Sequence, residues 1–95
     1  MPAYVLVDVD VIDPARYDDY RPLAAASVEQ YGGRYVVRGG ASEVLEGERV
    51  PGRLVVLEFP DTDAARRWYD SPEYRAARGV REGASVGSFV LVDGI

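Results

Sequence analysis

"EQYGGRYVVRGG", Glu29–Gly40, decides the fold. Two glycine pairs bracket it, and Arg34 and Arg38 enclose three strand formers, Tyr35, Val36 and Val37. Tyr17, Tyr20, Ala24, Val28 and Tyr31 recur at three- and four-residue steps just upstream, the apolar stripe of a helix running into this segment. Gly32 stands where a left-handed C-terminal cap belongs, and Gly33 lets the chain reverse. The segment reads as helix, stop, strand. Gly39-Gly40 then reads as a strand exit or bulge that needs unusual backbone angles.

Toward the N-terminus, "AYVLVDVDV", Ala3–Val11, alternates by two, with Val5, Val7, Val9 and Val11 on one face and Tyr4, Leu6, Asp8 and Asp10 on the other. Asp13 and Pro14 supply the cap and first position of the following helix. Pro22 cannot donate to the carbonyl of Asp18, so a short first turn and a restart are predicted within that helix. Toward the C-terminus, Ala41–Gly52 is polar and reads as a hairpin-like connection, and "RLVVLEF", Arg53–Phe59, as the third strand. A second helix is capped by Asp61 or Thr62 and restarts at Ser71-Pro72, where Trp68, Tyr69 and Tyr74 mark its buried side. "SFVLVDG", Ser88–Gly94, closes the order β-α-β-β-α-β. Two right-handed crossovers in that order give a single α+β domain over 1–95, a ferredoxin-like four-stranded antiparallel sheet with its helices on one face.

Such a sheet leaves its other face open. Strand parity assigns Tyr4, Leu6, Asp8, Asp10, Val36, Arg38, Leu54, Val56, Glu58, Phe89 and Leu91 to it. An apolar patch of that size calls for a partner, and an isologous homodimer packed sheet on sheet is the expected solution.

"YGGRYVVRGG", "LVVLEFPDTDAARRWYDSPEY", "AARGVREGA" and "LVDG" together resemble the bacterial domain of unknown function 1330 family over nearly the whole chain. The resemblance implies a dimeric α+β barrel, in a superfamily that includes cofactor-free monooxygenases, isomerases and haem-degrading enzymes. It transfers no catalytic residue.

The 95 residues contain no cysteine and no histidine, and all 11 basic residues are arginine. Thiolate chemistry, Ser-His and Cys-His nucleophile systems, lysine Schiff bases and histidine-ligated haem are therefore excluded. A net charge of −5 argues against a nucleic-acid partner. No stretch approaches a membrane span, and the N-terminus alternates as a strand rather than as a signal peptide, so a cytoplasmic location is expected.

What remains for chemistry is a set of charges on the open face. Arg38 beside Glu58 could grip a carboxylate or enolate, with Glu58 holding its orientation, and Asp8 could serve as a general base; more often such charges set strand or dimer register. Asp8 and Asp10 without further ligands make no metal site. Tyr4, Trp68 and Tyr74 are candidate walls for a flat ligand, although Trp and Tyr at helical spacing are usually core. The expectation is a small cofactor-free enzyme on an anionic or aromatic metabolite, with catalytic Asp8, Arg38 and Glu58; the alternative is a non-catalytic binding or structural dimer.

Overall fold

The computed structural model describes residues 1–95. Seven elements follow in order: β1 (Ala3–Val11), α1 (Pro14–Gln30), β2 (Arg34–Arg38), β3 (Arg53–Phe59), α2 (Thr62–Asp70), α3 (Pro72–Arg81) and β4 (Ser85–Asp93). The strands form one antiparallel sheet in the order β2-β3-β1-β4, the ferredoxin-like arrangement.

Local chemistry sets the boundaries. Asp13 accepts from the Arg16 amide to start α1, Asp61 accepts from Ala64 to start α2, and Ser71 accepts from Tyr74 to start α3. Gly32 adopts a φ of +82°, and the Gly33 amide reaches back to the Val28 carbonyl, ending α1 by the expected glycine device. The predicted restart at Pro22 does not occur, and α1 runs through it unbroken. Pro22 lies on the exposed side of the helix. The carbonyl it leaves without an amide therefore faces water rather than core, and the loss is cheap there.

On the helix side, Val5, Val7 and Val9 of β1 and Val55, Leu57 and Phe59 of β3 pack against Tyr17, Tyr20, Ala24, Val28, Trp68 and Tyr74. Aromatic rings fill the space between the helices and the sheet: Trp68 and Tyr74 lie 4.2 Å apart between centroids, and Phe59 and Trp68 5.4 Å. Two polar links run through this layer. Tyr20 and Tyr74 share a hydrogen bond of 2.8 Å between their hydroxyls, and Trp68 Nε1 donates to Ser27 Oγ.

Beyond Tyr35, the sheet departs from simple alternation. Tyr35 stands opposite Leu57, but Val37 stands opposite Val56 and Arg38 opposite Val55, because β2 carries a bulge between Tyr35 and Val37. One extra residue inverts the facing of everything after it. Val37 thus turns to the open face, and Arg38 turns to the helix side, the reverse of its parity assignment.

Phe89 and Leu91 are also corrected. They stand opposite Val7 and Val5, on the helix side, where Phe89 packs against Tyr69 at 6.3 Å. Val86, Val90 and Val92 take the open face instead.

Candidate functional site

The sheet separates the residues that the sequence grouped. On its open face, Val37, Val56, Leu6 and Val90 form one in-register row across all four strands. At one end of that row, Glu58 stands opposite Tyr4 on β1 and Arg34 on β2, and Arg34 Nη2 donates to Glu58 Oε1 at 2.5 Å. At the other end, Asp8 accepts from the Gly52 amide at 2.9 Å and pairs with Arg49, which ties the long β2–β3 connection to the sheet. Asp8 and Glu58 are four residues apart along β1, roughly 13 Å. The expected partner of Glu58, Arg38, is replaced by Arg34, because the antiparallel register sets Arg34 opposite Glu58 and carries Arg38 to the far end of the pairing, opposite Val55.

On the helix side, Arg38 meets a second arginine. A narrow cleft between α1 and the sheet is lined by Tyr17, Tyr20, Arg21, Tyr35, Arg38, Arg53, Trp68 and Phe89 among others, and encloses about 30 Å³. The Arg38 guanidinium lies over the Tyr35 ring at 4.3 Å, and that of Arg53 over the Tyr17 ring at 5.9 Å. The Arg53 fork also crosses Gly39, where an added Cβ would strike it; Gly39 has a φ of +70°.

The ion pairs of the chain are Arg21–Asp18, Arg34–Glu58, Arg49–Asp8 and Arg66–Asp63, so Arg38 and Arg53 have no carboxylate partner. Arg53 Nε is buried and donates to nothing. Burial raises the Tyr35 phenol above its ordinary value, while the charges of Arg38, Arg53 and Arg21 pull it back down. Positive charge and aromatic surface therefore converge in one place, and no carboxylate lines it.

A second hollow of about 260 Å³ lies between α2 and β4, lined by Val5, Ala65, Trp68, Tyr69, Phe89 and Leu91 with Arg66 and Asp70. It shares Trp68 and Phe89 with the arginine cleft. Trp68 is thus a wall residue of both spaces, although it is only 1% exposed. Tyr74 is fully buried and touches neither space; it braces Tyr20 through their shared hydrogen bond. Tyr4 is half-buried on the open face, away from both. No group of three or more His, Cys, Asp or Glu side chains stands together.

Sequence reasoning missed Arg53, which it took only as the first residue of a strand. The available signal was its spacing, two residues before Val55 on the buried parity of β3.

This architecture recurs among solved structures. A protein of unknown function from Rhodopseudomonas palustris, RPA0582, has 20% identity and a TM-score of 0.80, covering 99% of this chain and 82% of its own. SnoaB, a cofactor-independent oxygenase from Streptomyces nogalater, has 19% identity and a TM-score of 0.68, covering 99% and 93%. Rv0793 from Mycobacterium tuberculosis has 17% identity and a TM-score of 0.63, covering 100% and 96%. At these identities the likeness is one of fold. No curated protein matches the chain. The model of the Domain of unknown function (DUF1330) matches residues 2–95, and the chain belongs to that family.

Proposed function

We propose that this protein is a cytoplasmic homodimer that binds a small planar anion in the arginine cleft and acts on it without a cofactor. The observation that carries the reading is the pair Arg38 and Arg53: two guanidiniums without carboxylate partners, over tyrosine rings, one with a buried unspent donor. Such a site favours the charged form of a bound phenol or enol, because positive charge in a poorly solvated cleft stabilises the conjugate base. The flat anion stacks on Tyr35 or Tyr17 while the guanidinium forks hold its oxygen. The cleft as it stands holds about one water, so Arg38, which is exposed, swings off Tyr35 to admit the ligand. In this reading Arg38 and Arg53 hold the substrate, and Trp68 walls it. Asp8, Glu58 and Tyr4 serve the interface on the other face.

No carboxylate lines the cleft, so the proton that the ligand loses passes to bulk water at the mouth beside Arg38. An enolate formed this way is electron-rich. The oxygenase description of the Streptomyces nogalater protein makes dioxygen the first co-substrate to test.

A chromogenic nitrophenol is a suitable probe. Its phenolate absorbance against pH should shift on binding so that the apparent pKa falls by about one unit, and should return to the free value with Arg38→Ala or Arg53→Ala. An unshifted titration with wild-type protein removes the site. Oxygen-electrode measurements with an enolisable aromatic ketone then separate the two functional classes: uptake supports an enzyme, and binding without uptake supports the non-catalytic alternative.

The homodimer rests on the row Val37, Val56, Leu6 and Val90, whose exposed members would otherwise face water across the full width of the sheet. Two such rows packed together bury both. Sedimentation as a monomer at micromolar concentration would overturn this part of the reading.

A further inference from the structure

The connection between β2 and β3 carries side chains that nothing in its own chain covers. Leu45 is 91% exposed and Val50 81%, in a loop otherwise rich in glutamate. Its two ends are fixed. The Gly39 amide donates to the Leu54 carbonyl, and Gly52 and Arg49 both bind Asp8. The part between is therefore held out at the Asp8 end of the open face. Beside it, on that face, is a groove of about 380 Å³ lined by Leu6, Val37, Leu54, Val56, Ser88 and Val90. The chain thus displays an unburied leucine and an unfilled apolar groove next to each other.

We infer that the β2–β3 loop of one copy docks on the open face of a second copy, with Leu45 inserted into the groove. This rests on the face-to-face pairing proposed above. An isologous interface needs both halves of each contact on the same chain, and knob and groove are both here, so each copy gives one leucine and receives one. Charge favours the same occupant. Glu43, Glu46 and Glu48 form no ion pair within the chain, while Arg34, with 71% of its side chain exposed, sits at the far end of the open face. A two-fold axis lying across the strands lays the acidic loop of one copy over the Arg34 end of the other. From Arg49, the nearer anchor, the tip can reach about 14 Å, enough to pass from the Asp8 end to the central row of the open face.

The cysteine-free chain allows a clean test. Tagged protein carrying only Leu45→Cys is mixed with untagged protein carrying only Val56→Cys under mild oxidation. The expected product is a disulfide between a tagged and an untagged chain. Leu45→Glu should weaken the dimer at least tenfold by sedimentation while leaving the circular dichroism unchanged. A wild-type dimer that gives no mixed cross-link and is equally tight with Leu45→Glu overturns the exchange and leaves the face-to-face dimer standing. A wild-type monomer overturns both.

Discussion

The indole nitrogen of Trp68 donates to Ser27 Oγ at 3.0 Å, and Ser27 Oγ donates in turn to the Ala24 carbonyl at 2.7 Å. Both side chains are buried, so the link ties α2 to α1 in a place water does not reach. Ser27→Ala leaves a buried indole N–H without an acceptor and should cost about 1–3 kcal/mol in urea unfolding. Trp68→Phe removes the donor together with much packing. Adding Ser27→Ala to Trp68→Phe should then cost much less than Ser27→Ala alone. Full additivity would show that the hydrogen bond contributes nothing.

Tyr20 and Tyr74 give the fold a sensitivity to alkali. Burial raises both phenols above their ordinary value, and for Tyr20 the neighbouring Tyr74 adds to the effect. A native value above the unfolded one means that the neutral form is the one the fold favours. The associated stability is complete below about pH 10, where unfolded phenols are still neutral, and is lost as pH rises above it. Unfolding free energy should therefore be flat in this respect near neutrality and fall beyond about pH 10. Tyr20→Phe and Tyr74→Phe should each make that fall shallower, whatever they cost at neutral pH. An unchanged slope in both variants would place the alkaline sensitivity elsewhere.

Gly33 is a packing glycine. A Cβ there would lie 2.6 Å from the Phe59 ring and 2.9 Å from Val28 Cγ1, and Phe59 is itself buried at 1% exposure. Gly33→Ala should cost about 1–3 kcal/mol through forced displacement of that ring. Gly40, with an ordinary φ and nothing within 4 Å of its added Cβ, is the control, and Gly40→Ala should stay within about 0.5 kcal/mol. Thermal unfolding of the two variants side by side decides the matter; equal effects would refute the packing account.

The same glycine shows how far a chain can be read. The stop at Gly32-Gly33 is legible because a left-handed cap has a residue signature, as are the caps at Asp13, Asp61 and Ser71. β1 and β3 are legible because one face of each is more apolar than the other. Arg38 is not, because a bulge adds a residue without altering composition, and "YVV" fits either facing. Phe89 and Leu91 fail for a different reason. β4 is apolar on both parities, and the choice between them falls to Tyr69 and Arg81, which come from other elements and pack on the Phe89 ring. Parity alone therefore puts Arg53 on the helix side but leaves Arg38 on the open face, and the cleft comes together only once the bulge is known.

Asp8 anchors the β2–β3 loop, and its loss has a graded consequence. One carboxylate accepts both the Gly52 amide and the Arg49 guanidinium, and it is partly sheltered, at 18% side-chain exposure. Arg49→Ala removes one of these ties and Asp8→Ala removes both, while neither touches the core. Because Arg49 is largely exposed, the effect on global stability should stay within about 1 kcal/mol for Arg49→Ala. Local opening of the loop should respond more strongly, since few other contacts hold it. A glutamate-specific protease has sites at Glu43, Glu46 and Glu48. Cleavage there should be slowest in wild type, faster in Arg49→Ala and fastest in Asp8→Ala, under conditions where the rest of the chain stays intact. Gly52→Ala should behave like Asp8→Ala, because its Cβ would collide with the Val9 carbonyl and the Asp10 carboxylate and push the loop root off the strand. Equal cleavage rates across the series would mean that the loop is held by something other than Asp8.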